Sequence, residues 1–138
     1  MDALYTAVVS ATGRDGRAVS SDEKLDVHLA FPPALGGNGA GTNPEQLFAA
    51  GWASCFTSTL GVVGREAKVA TGAISVTAEI SIGKDPADDG FALGAVLRVK
   101  LPANLRNETG RKLVEQAHEG CPYSKATRGN IPVELIVE

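Results

Sequence analysis

The chain has 138 residues, 43% of them apolar and 21% charged, with a net charge of −3. That is the balance of an ordinary soluble globular protein with one sizeable core, and it predicts a single domain over residues 1–138. The basic residues are scattered, which argues against a nucleic-acid or anionic-membrane surface, since both need clustered Lys and Arg. The N-terminus, Met1-Asp2-Ala3-Leu4-Tyr5, lacks the basic and long apolar stretches of a secretion signal, so the expected compartment is the cytoplasm. Two cysteines in that compartment seldom form a structural bridge, and a bridge between them would be transient and catalytic.

Residues 4–11 read as a strand, and Ala18 to Leu29 holds another one or two. Between them, Gly13-Arg14-Asp15-Gly16-Arg17 is a hairpin turn, because Asp-Gly tolerates the positive φ such turns need. The turn displays Arg14 and Arg17. Phe31 to Gly41 carries two prolines and four glycines and is expected to be irregular.

A helix is predicted from about Pro44 to about Lys68. Thr42 or Asn43 can cap it, and Pro44 falls in the first turn, where its missing N–H costs nothing. Phe48, Trp52, Phe56 and Leu60 recur at a spacing of four, and no charged residue lies between Glu45 and Arg65. A helix apolar or small on nearly every side is normally buried. Its uncharged run is long enough to raise a membrane span, but Gln46, Ser54, Thr57, Ser58, Thr59 and three glycines favour a buried soluble helix, with no membrane partner. Gly51, Gly61 and Gly64 each cost about 1 kcal/mol of helicity, which points to close packing at those positions.

After Thr71-Gly72 the period changes. Ile74, Val76, Ala78, Ile80 and Ile82 alternate with small or polar residues, and Phe91, Leu93, Ala95, Leu97, Val99 and Leu101 do the same beyond a polar turn at 84–90. An antiparallel hairpin with one face on the core follows. Asn104 or Asn107 can then cap an amphipathic helix with Leu105, Thr109, Leu113, Ala117 and Cys121 on its inner stripe, ended by Gly120 and Pro122. Ile131 to Val137 is a last strand whose Pro132 favours an edge or a strand start. The sum is an α+β fold: antiparallel strands wrapped around one long buried helix, with a second, amphipathic helix.

His28 and His118 have no partner at metal-ligand spacing, and with Cys55 and Cys121 they form no zinc knuckle, so no metal is expected. A cysteine–histidine hydrolase through Cys55 and His118 is a weak alternative. The two thiols, and the charged groups able to activate them, carry the remaining chemistry.

Asn43-Pro44-Glu45-Gln46-Leu47-Phe48-Ala49-Ala50-Gly51 with Cys55-Phe56, and Cys121-Pro122-Tyr123-Ser124-Lys125-Ala126-Thr127-Arg128-Gly129-Asn130, form two long motifs with a cysteine in each. Together with the Gly13–Arg17 turn and Leu35-Gly36-Gly37, they resemble the organic hydroperoxide resistance proteins, within the wider group of osmotically inducible protein C. The resemblance spans essentially the whole chain. It implies a thiol peroxidase that reduces organic hydroperoxides to alcohols. Cys55 would be the peroxidatic thiol, Cys121 the resolving one, Arg14 the cation beside the reactive sulfur and Glu45 its carboxylate partner. It also implies that nothing is bound permanently, the reductant being an external dihydrolipoyl-type dithiol carried on a lipoylated protein. The sister subgroup, and a non-enzymatic module whose two cysteines form a sensor or structural disulfide, remain as alternatives.

Physical chemistry adds demands of its own. Only a thiolate attacks a peroxide, and a free thiol with a pKa of about 8.5 is mostly protonated at neutral pH. Burial in mid-helix raises that value further, so a nearby cation is needed. Bringing it from ~8.5 to ~6 takes roughly 3 kcal/mol, which an arginine in a dry site can supply. Glu45 and Cys55 lie ten residues apart, about 15 Å of helical rise. Glu45 is therefore expected to serve the Cys55 of a second subunit, in an obligate, intertwined homodimer. A Cys55–Cys121 bridge needs Cα atoms within about 7 Å, so the end of the second helix must dock on the middle of the first. Phe31, Pro32, Pro33, Leu35, Trp52 and Phe56 are candidates for an apolar mouth.

Overall fold

In the computed structural model, which describes residues 1–138, the chain reverses at Arg14-Asp15 and the flanking strands pair antiparallel. It divides into two compact units, Met1–Leu47 and Phe48–Glu138. In the first, β1 (Val9–Ala11), β2 (Arg17–Ser20) and β3 (Asp26–His28) form an antiparallel sheet in the order β1-β2-β3. The strand predicted over 4–11 is shorter than expected. Its partner runs out: Ser20 lies opposite Val9, and the last ladder bond is from Ser21 N–H to Val8 O, at 2.8 Å. Leu4 and Tyr5 beyond it are exposed. The loop expected to be irregular contains one 3₁₀ turn, Pro33–Leu35, and is closed by Thr42 N–H donating to His28 O at 3.0 Å.

Helix α1 runs Pro44–Glu66. Asn43 caps it, its Oδ1 accepting from Gln46 N–H at 2.9 Å. Trp52, Phe56, Leu60 and Gly64 form its buried stripe. Burial on nearly every side is not what the structure has: Gln46, Ala50, Ser54, Ser58 and Val62 form an exposed line, again at a spacing of four. The helix is long and apolar enough to cross a bilayer, but here its aromatic stripe fills a protein core.

The second unit continues with β4 (Ser75–Lys84), β5 (Phe91–Lys100), α2 (Glu108–Gly120), α3 (Pro122–Thr127) and β6 (Val133–Val137). Strands β4 and β5 pair antiparallel, with Val76 opposite Val99, Ala78 opposite Leu97 and Ile80 opposite Ala95. Strand β6, expected to be antiparallel like the rest, pairs parallel with β5, Leu135 opposite Leu97. The two intervening helices carry the chain back to the starting end of β5, the crossover that parallel neighbours require. Pro132 sits just before β6, at the sheet edge, and its carbonyl accepts from Ala95 N–H at 3.0 Å.

Asn107 caps α2, accepting from Gly110 N–H at 3.1 Å. Its inner face is Gly110, Leu113, Val114 and Ala117, while Thr109, assigned to that face from spacing, is exposed. Residues three and four apart share a face, so a strict spacing of four drifts off it. Helix α3 was not expected. Pro122 ends α2, as a terminator should, but it also stands at the first position of α3, where proline is pre-organised. Trp52, Phe56, Leu60, Leu97, Val99, Val114, Ala117 and Cys121 are buried together in one core.

Candidate functional site

The first unit brings two of the expected residues together. Arg14 Nη1 donates to Glu45 Oε2 at 3.0 Å and Nη2 to Oε1 at 2.5 Å. Gly13, at φ +113°, makes the backbone turn from which Arg14 projects. Glu45 lies in the first turn of α1, where the helix N-terminus favours a negative charge. The pair is partly sheltered, with side-chain exposures of 31% for Arg14 and 13% for Glu45. The Arg14 hydrogen bonds hold the Glu45 carboxyl below the usual carboxylate range against the opposing effect of burial. Arg17 is committed elsewhere, to Asp26, in an exposed pair that includes an Nε–Oδ1 bond of 2.6 Å.

The second unit brings together the two thiols. Cys55 is at the centre of α1 and half-buried; Cys121 is fully buried, and both are free. Cys121 joins α2 to α3, its N–H donating to Ala117 O at 2.8 Å and its carbonyl accepting from Lys125 N–H at 2.9 Å. This junction places the Cys121 thiol in the same core as Cys55, near enough to act on its titration. Burial first, and then the adjacent Cys121, push the Cys55 thiol pKa upward; the Tyr123 backbone N–H and the Thr59 hydroxyl pull the other way. The two thiols are thus neighbours, and the upward push raises the question of how Cys55 is brought to its thiolate form.

Several neighbours were not legible in the sequence. Ser124, fully buried, accepts from Trp52 Nε1 at 3.2 Å and meets His118 Nδ1 at 2.9 Å. Tyr123 packs edge-on against Phe48, with ring centroids 6.2 Å apart, and its hydroxyl rests on Gly51, where a Cβ would lie 2.8 Å from Oη. Gly51 thus packs closely, as its helix position implied. Trp52 and Phe56, candidates for an apolar mouth, are core residues with no exposed surface, while Phe31 and Leu35 stand 37% and 41% exposed. His118, the candidate for a cysteine–histidine pair, has its Nδ1 taken up by Ser124.

A family profile described as OsmC-like protein matches residues 36–136. An organic hydroperoxide resistance protein of Xanthomonas axonopodis pv. citri is 49% identical over 135 residues, covering 96% of this chain and 93% of its own. Among solved structures, an organic hydroperoxide resistance protein of Legionella pneumophila superposes with a TM-score of 0.93 at 43% identity, over 99% of both chains. The organic hydroperoxide resistance protein OhrB of Bacillus subtilis gives 0.89 at 44% identity, over 99% of this chain and 100% of its own.

Proposed function

The chain belongs to the OsmC-like family, and within it to the organic hydroperoxide resistance proteins; from that premise we propose that it is a cysteine peroxidase that protects against organic hydroperoxides. The observation that carries the proposal is the placing of two free thiols in one core, one on α1 and one at the α2–α3 junction. In the first step the Cys55 thiolate attacks the distal peroxide oxygen. The O–O bond breaks, the alkoxide leaves and takes a proton as the alcohol, and sulfur is oxidised by two electrons to the sulfenic acid. Cys121 then displaces hydroxide from that sulfur, giving a Cys55–Cys121 disulfide and water before irreversible oxidation can follow. An external dithiol of the lipoyl type, carried on a protein, returns both thiols by exchange and leaves as its own disulfide.

Arg14, clamped by Glu45, is the cation assigned to offset the upward push on the Cys55 thiol and to stabilise the departing alkoxide. Ten residues separate Glu45 from Cys55 along α1, so a second subunit is assigned the task of presenting them to one another. Two features support a homodimer. The exposed line on α1 is mostly small (Ala50, Ser54, Ser58), which permits close helix contact, and Leu4, Tyr5 and Val8 stand uncovered at the N-terminus.

Steady-state turnover of cumene hydroperoxide with a lipoyl dithiol tests the reading, with hydrogen peroxide and thioredoxin as comparators. Cys55→Ser is expected to abolish turnover. Cys121→Ser should consume one equivalent and stop at a sulfenic acid visible by mass spectrometry. Full activity in Cys55→Ser would overturn the mechanism, and no turnover by the parent chain would favour a sensor disulfide.

A further inference from the structure

We propose that Ser124 is a positioning residue for the thiol pair, acting through a buried hydrogen-bond chain from Trp52 through Ser124 to His118. The proposal rests on the peroxidase reading for its purpose but not for its test. Each member sits three residues from a cysteine. Trp52 precedes Cys55 on α1, His118 precedes Cys121 at the end of α2, and Ser124 follows Cys121 on α3. The chain therefore ties the helix bearing one thiol to both helices that flank the other.

The first half of its polarity is fixed by donor chemistry and the second follows from the acceptors in reach. The Trp52 indole N–H can only donate, so Ser124 Oγ accepts from it, at 3.2 Å. The single Ser124 proton is then free to donate to His118 Nδ1, 2.9 Å away. Ser124 Oγ makes no third hydrogen bond, so Nδ1 is the one acceptor in reach of its proton; that assigns His118 as the neutral tautomer with its proton on Nε2. A protonated His118 would present a second donor to Ser124 and leave the serine proton to find another acceptor in a site closed to water.

The surroundings favour the neutral ring. Burial comes first in lowering the His118 pKa, followed by the Arg128 cation, whose Nη2 donates to the His118 carbonyl at 2.7 Å. Glu119 acts in the opposite sense. From α1 the ring is met by Phe56, with centroids 6.3 Å apart, which offers no charge. Holding Ser124 from two sides restrains the Cys121 turn, so the thiols present a high effective concentration to one another.

Equilibration of the folded protein with a dithiothreitol redox buffer measures that concentration without peroxide. Two protein thiols are oxidised as oxidised dithiothreitol is reduced. Ser124→Ala is expected to lower the effective concentration about tenfold, and His118→Ala to do likewise. His118→Asn, whose Oδ1 replaces the Nδ1 acceptor, should restore most of it. In the parent protein the value should fall as the pH drops through the His118 pKa. In His118→Asn that fall should be absent, and the difference between the two isolates His118 from the thiol titrations they share. Nitrogen NMR of the parent protein, which needs no variant to fold, should show His118 Nδ1 unprotonated at pH 7. A protonated Nδ1, or a Ser124→Ala value within twofold of the parent, would overturn the proposal. So would a Ser124→Ala protein with a lower Tm but an unchanged exchange equilibrium and pH profile. Failure of hydroperoxide turnover with these results intact would reject the peroxidase reading alone.

Discussion

Replacing Glu45 by Gln tests whether the Arg14 clamp is held by charge. The carboxylate accepts two hydrogen bonds from the guanidinium, at 3.0 and 2.5 Å. Gln offers one acceptor and turns its amide N–H groups toward a cation that can only donate. A charge-assisted pair of this kind in partial exposure is worth about 1 kcal/mol once solvent screening is allowed for. The lost negative charge in the first turn of α1 adds about 0.3–1 kcal/mol. The expected destabilisation is therefore about 1–2 kcal/mol at pH 7, a roughly 5–30-fold change in the folded-to-unfolded ratio. The sign of its pH dependence follows from the depressed Glu45 pKa. That stabilisation is fully present above the unfolded carboxyl value of about 4.3 and is lost as pH falls through the folded value. Urea unfolding followed by circular dichroism, at steps from pH 7 downward, should show the gap between parent and variant closing below that region. A double-mutant cycle with Arg14→Ala should give a coupling of about 1 kcal/mol. A gap that persists unchanged in acid, or a coupling below about 0.3 kcal/mol, would refute the assignment of the clamp to an ion pair.

Two further outcomes are expected. Arg14→Ala should slow peroxide attack, read by stopped flow, far more than Arg17→Ala, because Arg17 is already spent on Asp26 at the surface; equal effects would remove Arg14 from its role. Leu97→Ala should cost about 3 kcal/mol in urea unfolding, since Leu97 is fully buried on the middle strand β5, whereas Phe91→Ala, 67% exposed, should cost under about 1 kcal/mol.

What could be read in advance depended on how local the signal was. Helix α1 declared itself because Asn43-Pro44 is a start signal and the apolar spacing from Phe48 to Leu60 runs for about three turns. The β4–β5 hairpin was equally plain, since strict alternation names the inward face and the turn forces the pairing. Alternation says nothing about the direction of a distant partner, and so the parallel pairing of β6 was hidden. Helix α3 is too short for a period to show, and Pro122 carries two opposite meanings within one junction. The exposed line on α1 was missed for another reason: small residues such as Ala50 and Ser54 fit a buried or a solvated face equally well. The residues proposed for the chemistry, Arg14 with Glu45 and the two cysteines, lay in motifs dense enough to recognise. The contact between Trp52 and Ser124 joins positions 72 apart, through a serine with no periodic or compositional mark.

Strand order also sets a timetable. The middle strand of the second sheet cannot complete both of its ladders until β6 has been made, and β6 follows both cysteines in the chain. Synthesis proceeds at roughly 5–20 residues per second. A newly made α1 therefore waits several seconds before the α2–α3 junction that carries Cys121 exists. During that interval Cys55 has no Cys121 beside it, so under the proposed mechanism an oxidant that reaches it meets a sulfur with no resolving partner. The topology that brings the finished pair together thus leaves α1, for a time, with one thiol alone.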